Sequence, residues 1–206
     1  MSELKVSHSV DTKKVASDLA SRLGKKKVFE VNEADEAVYA LYDASGSMRG
    51  PKWQELLKAA TVLNEHAGRV QITTIAFNDN LYLEEEIENI HPECSTHTMS
   101  AATYAINQAM NRVAGKRRII LVTDGHPSDC SNTGLADYVR DKGVIIDTVG
   151  IGEDCDRIGL EAISNATGGE FYHCKDGEWQ NLSTILLELS PEMRYIGCKQ
   201  DGTIIL

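Results

Sequence analysis

Residues 37–189 predict an α/β fold of three layers, α/β/α, in which helices cover both faces of a mainly parallel sheet. Three observations carry this reading. Short β-prone apolar runs alternate with segments of helical period, as right-handed βαβ crossovers require. The runs are apolar with little alternation, the pattern of strands buried on both faces. Proline and glycine punctuate the junctions, with Pro51 opening one helix, Gly143 closing another and Gly168-Gly169 closing a third.

In chain order, "AVYALYD" (37–43) is the first strand. Pro51 then suits a first helical turn, and Trp53, Leu56, Leu57, Ala60, Val62 and Leu63 keep roughly helical spacing up to Gly68. "RVQITTIAF" (69–77) is the second strand, and "LYLEEE" (81–86) a third, placed at an edge by its charge. A helix from about Met99 to Val113 carries Ala102, Ile106, Ala109 and Met110 on one side. "RRIILVTD" (117–124) is the most apolar strand, and like the first it ends at an Asp. A helix in "GLADYVRDKG", a strand in "VIIDTVGIG" (144–152), a helix in "RIGLEAISNATGG", a strand in "EFYHC" (170–174) and a helix in "WQNLSTILLEL" complete the pattern.

The two ends fall outside it. Residues 11–23 read as an amphipathic helix followed by a short "KVFEV", and "RYIGCKQDGTIIL" as two short strands around Asp201-Gly202, a hairpin turn signal. The expected organisation is therefore an N-terminal extension over 1–34, a domain over 35–190, and a hairpin-like tail over 191–206 packed on the domain.

Composition narrows the function. Of 206 residues, 42% are hydrophobic and 25% charged, which is globular usage. A formal net charge of −10 opposes the phosphate backbone, so no nucleic-acid partner is expected, and Lys25-Lys26-Lys27 reads as a solvated turn. The N-terminal stretch has no apolar core of a secretory signal, and no run approaches the ~20 apolar residues of a bilayer span. The five cysteines lack a CxxC pair, so the expected setting is the reducing cytoplasm.

The chemistry gathers at the strand ends. In an open parallel sheet, the loops at the carboxyl ends of the strands share one rim, and ligands bind there. Asp43 and Asp124 both fall on that rim, and Ser45 and Ser47 follow Asp43 at every second position. Carboxylate and hydroxyl oxygens suit a hard divalent cation. Either loop alone would read as a strand end with a Ser/Thr helix cap. The same pattern at both strand ends favours the cation.

The pair of motifs "DASGSMRG" (43–50) and, about eighty residues on, "IILVTDG" (119–125) resembles the von Willebrand factor A (vWA) domain, in its microbial intracellular type. The element order agrees over about residues 35–190. The resemblance implies a Rossmann-like sheet of strand order 3-2-1-4-5-6 with strand 3 antiparallel. It also implies a metal-ion-dependent adhesion site (MIDAS) that binds Mg2+ or Mn2+. Residue by residue, the first loop supplies Asp43, Ser45 and Ser47, and the third supplies Asp124. The second-loop threonine is Thr96, with Thr98 as the alternative; Cys94 and Ser95 stand where the family usually has two glycines. Such a site takes a carboxylate from a partner protein, and microbial relatives often serve AAA+ ATPases of the MoxR or chelatase type.

Other signals are weaker. Cys94, His97, His126, Cys130, Cys155 and Cys174 lie in or beside the rim segments without zinc-ligand spacing. Asp129, Glu153 and Asp154 read as solvated loop charges, and "VGIG" is a lone GxG. The expected protein is thus an interaction module and not an enzyme. A Mg2+-dependent phosphotransferase or phosphatase using Asp43 would need a second Asp at position 45 and a rim lysine; the sequence has Ser45, and no rim lysine is evident. A structural subunit of a larger complex is the third reading.

Overall fold

The computed structural model of the chain describes residues 37–67, 70–83, 87–112 and 115–189. Six strands form one sheet: β1 (Ala37–Asp43), β2 (Gln71–Phe77), β3 (Leu81–Leu83), β4 (Arg117–Thr123), β5 (Ile145–Ile151) and β6 (Phe171–Cys174). Their order is β3-β2-β1-β4-β5-β6, and only β3 runs antiparallel to its neighbour. The expected topology is met.

Among the described residues five helices flank the sheet, four of them between strands and the last after β6: α1 (Pro51–Glu65), α2 (Thr98–Met110), α3 (Asn132–Val139), α4 (Arg157–Thr167) and α5 (Leu182–Leu189). Successive side chains of a strand point to opposite faces, and β1 shows both destinations. Tyr39 and Leu41 join Ile75, Phe77, Ile119 and Leu121 under α2, α3 and α4. Val38, Ala40 and Tyr42 join Ile120, Val122, Val149 and Ile151 under α1 and α5. All seven residues of β1 are buried, which explains why its sequence carries no polar alternation. Between β4 and β5 the interior holds one ion pair, Arg118 to Asp147, and Asp147 Oδ1 also accepts from the Glu170 amide at 2.9 Å.

Several boundaries differ from the expected ones for local reasons. Helix α3 starts at Asn132, ahead of the expected Gly134, because the Ser131 hydroxyl accepts from the Gly134 amide at 3.1 Å and caps it. Helix α4 ends at Gly168, whose φ of +74° gives the left-handed cap that glycine adopts without strain. Strand β3 is only three residues long, and a 3-10 turn over Trp179–Asn181 precedes α5. The expected helix over 11–23, the "KVFEV" segment, positions 84–86 and the tail hairpin lie outside the described residues. No helix among the described residues is long and apolar enough to cross a membrane.

Candidate metal centre

Strand β1 delivers Asp43 to the rim with no solvent exposure. Its Oδ1 accepts from the Ser45 amide at 2.8 Å and its Oδ2 from the Thr123 hydroxyl at 2.5 Å. Burial pushes the Asp43 carboxyl up to about 6; hydrogen bonds from Thr123 and Ser45 pull the other way, and the Asp124 charge adds to the rise. No basic side chain among the described residues pairs with it. After Asp43 the chain makes one 3-10 turn, Gly46–Met48, anchored by the fully buried Met48. That turn holds Ser45 Oγ and Ser47 Oγ 3.1 Å apart.

Strand β4 brings the second carboxylate. Ser47 Oγ donates to Asp124 Oδ1 at 2.6 Å, across 77 positions of sequence. Lys52 Nζ donates to Asp124 Oδ2 at 2.5 Å. The Thr96 main chain is tied to the loop after β4, with Ser128 N donating to Thr96 O at 2.7 Å and Thr96 N to Ser128 Oγ at 3.3 Å. A methyl on Gly125 would lie 3.9 Å from both Ser47 Oγ and Thr96 Oγ1, so these hydroxyls flank the same backbone. Three of the five expected residues, Ser45, Ser47 and Asp124, are therefore linked by short oxygen contacts; Asp43 joins them through the Ser45 amide, and Thr96 borders them at Gly125. Thr98, the alternative, opens α2; its hydroxyl is buried with no hydrogen-bond partner among the described residues.

The loop in front of Thr96 explains how the missing glycines are tolerated. Cys94 adopts φ +63°, the left-handed conformation a glycine would take there. Its carbonyl accepts from Gly46 N at 3.1 Å, and the next residue is held by Asp79, whose Oδ1 accepts from Ser95 N at 2.8 Å. Both bonds hold the single peptide unit between Cys94 and Ser95 and so fix the turn in front of Thr96.

The donor set fits a small hard cation. All its atoms are oxygens, and two are on buried carboxylates, Asp43 at 0% and Asp124 at 4% exposure. Oxygens about 2.1 Å from an octahedral Mg2+ stand roughly 3.0 Å apart along each edge. The Ser45–Ser47 spacing of 3.1 Å and the Ser47–Asp124 spacing of 2.6 Å are close to that value.

Two expectations are corrected. A rim lysine exists: Lys52, on the first turn of α1, reaches Asp124. The residue sits in a helix that otherwise reads as amphipathic, and only the β1–β4 pairing shows where its ammonium ends. Asp129 is solvent-exposed, as expected, but it is more than a loop charge. It accepts from Met99 N at 3.1 Å and from Ser100 N and Oγ at 2.9 Å, and so caps α2 from a different loop. Helix α2 gets no cap bond from the His97 side chain in front of it, so the carboxylate supplies one. Glu153 and Asp154 are exposed as expected. Among the described residues no group of three His, Cys, Asp or Glu side chains converges on a point, so a soft-metal site has no cluster to draw on. Cys155 and Cys174 are buried and Cys94 is exposed, while His126 lies 3.7 Å from Asp156.

A six-stranded sheet of this order, with its oxygen-lined rim between β1 and β4, defines the class of Rossmann-like binding domains. The chain belongs to the von Willebrand factor type A domain family, whose family model matches residues 69–187. It is similar to a solved von Willebrand factor type A protein from Catenulispora acidiphila, with TM-score 0.67 and 18% identity over 78% of this chain and 43% of that one. It is also similar to proximal thread matrix protein 1 from the mussel byssus, solved with a zinc-occupied MIDAS motif (TM-score 0.61, 16% identity, 76% and 45% covered). A third is BatB, a conserved hypothetical protein from Bacteroides thetaiotaomicron (TM-score 0.63, 16% identity, 79% and 100% covered). The chain spans less than half the length of the first two. No curated protein matches the sequence. Domains of this family are in general metal-dependent protein-interaction modules.

Proposed function

We propose that this domain is a divalent-cation-dependent docking module. In this reading Asp43, Ser45, Ser47, Thr96 and Asp124 hold Mg2+ or Mn2+, and the site accepts the carboxylate of an Asp or Glu on a partner protein. The observation that carries it is the chain of close oxygens Ser45–Ser47–Asp124 beside a buried, cation-free Asp43 carboxylate. A cation bound mainly through hydroxyls stays electron-poor, which leaves it able to take one further anionic oxygen. The zinc reported for the mussel protein makes Zn2+ a third ion to compare.

The module occupies residues 35–190, with 1–34 and 191–206 as extensions, and works in the cytoplasm. Its role is that of an adaptor, bringing a client to a AAA+ ATPase of the MoxR or chelatase type; the resemblance to microbial intracellular vWA proteins supports this assignment. The phosphotransferase reading gains its lysine in Lys52 but not its second carboxylate. That chemistry needs an Asp two residues after the nucleophile, and the chain has Ser45 there.

The test is a pull-down with the tagged full chain in Mg2+ and in EDTA, with Asp43→Ala and the milder Ser47→Ala alongside. The expected result is a partner retained by wild type in Mg2+ alone. Equal retention by all proteins in both buffers would remove the metal from recognition.

A further inference from the structure

Lys52 is the cation that the docking reading does not use, yet it is bonded to one of the proposed metal ligands. Its side chain is 25% exposed and its ammonium sits 2.5 Å from Asp124 Oδ2, while Ser47 holds Asp124 Oδ1 at 2.6 Å. The two carboxylate oxygens therefore face different neighbours: one lies on the hydroxyl side, the other against the lysine. A further rim loop, after β5, approaches the same ammonium. A methyl on Gly152 would stand 3.4 Å from Lys52 Nζ and 3.3 Å from Asp176 Oδ1. The lysine is thus bonded to Asp124 in the loop after β4 and lies beside Gly152 in the loop after β5.

From this placement we infer that Lys52 is the resident counter-cation of Asp124 and sets the affinity of the site for its divalent ion. The inference rests on the docking reading and deepens it. A divalent ion that drew on Asp124 would share that carboxylate with the Lys52 ammonium. Charges of +2 and +1 on one carboxylate repel strongly in the low effective dielectric of a partly buried rim. Lys52 also neutralises one of the two acid side chains that would otherwise both compensate the ion. The consequence is a weaker but more electrophilic metal, which favours exchange and leaves charge to satisfy on a partner's carboxylate.

A competing effect runs the other way, since Lys52 also orients Asp124. That effect is the smaller one, because Ser47 keeps the other oxygen in place when the lysine is removed. The net prediction is therefore tighter cation binding without Lys52.

The experiment is calorimetric titration of Mg2+ into the full chain as wild type, Lys52→Met and Lys52→Arg, with Lys52→Gln as a second neutral variant should Met not fold. The expected result is that the neutral variant binds Mg2+ about tenfold more tightly while Arg stays near wild type. In EDTA the neutral variant melts below wild type, because Asp124 has lost its counter-charge, and saturating Mg2+ closes that gap. Unchanged or weaker Mg2+ binding by the neutral variant, or equal tightening by Arg, would overturn the inference. Wild type that takes up no divalent ion would instead overturn the docking reading itself.

Discussion

At the scale of single residues, the site rests on side chains that read as ordinary loop residues until two strands meet. The carboxylates and serines were legible because their spacing is local: Asp43, Ser45 and Ser47 lie within five positions, and Asp124 ends a strand of the same character. Lys52 was not legible, because its partner lies 72 positions away. Cys94 shows a different limit. A glycine was expected at that point of the loop, and its absence left the loop geometry open; the backbone nevertheless keeps φ at +63°. A non-glycine residue in that conformation costs about 1–2 kcal/mol. Cys94→Gly should therefore raise stability by about 0.5–1 kcal/mol in urea unfolding, since glycine returns part of the gain as unfolded-state entropy. Cys94→Val should lower it by at least as much, because a β-branched side chain tolerates positive φ least. Equal midpoints for all three proteins would show that the loop relaxes.

At the scale of elements, the sheet was legible almost entirely: its strands are apolar runs with no polar face, their alternation with helices implied a mainly parallel sheet, and the family resemblance implied their order. The ends of the elements were less so. Asp129 was read as a solvated charge because a cap is normally sought immediately before its helix, whereas here a loop from across the sheet provides it. This cross-loop cap does two things at once: it satisfies the first amides of α2 and it fixes the loop carrying Asp124 relative to the loop carrying Thr96. Asp129→Ala should cost about 1 kcal/mol of stability, and should weaken Mg2+ binding although Asp129 is not among the proposed ligands. Asp129→Asn, which retains an acceptor, should recover most of both. If the alanine variant melted lower but bound Mg2+ as wild type does, the cap would matter to the helix alone. The 3-10 turn after Asp43 went unforeseen for a similar reason: it depends on Met48 finding an interior pocket, which only the packed α1 face provides.

At the scale of the molecule, the rim ties together parts of the chain that are far apart in sequence. Thr123 donates to Asp43 across 80 positions and Ser47 to Asp124 across 77. An ion held by both loops, as proposed, would bind the folded chain and not the unfolded one, so at a hundredfold excess over its dissociation constant it would stabilise by about 2.7 kcal/mol. For a chain of this size that corresponds to a rise in melting temperature of roughly 5–10 °C over EDTA. A melting curve indifferent to Mg2+, Mn2+ and Zn2+ would count against any bound ion. The same feature bears on time as well as equilibrium. Because the two loops come together only after β1 and β4 have paired, the ion can act only on a nearly finished fold. Its effect should then fall on the rate of unfolding and leave refolding almost unchanged. Functionally, the metal would be a latch on lifetime: a domain waiting for its partner would keep its shape for as long as the ion stayed, and chelation would start a clock.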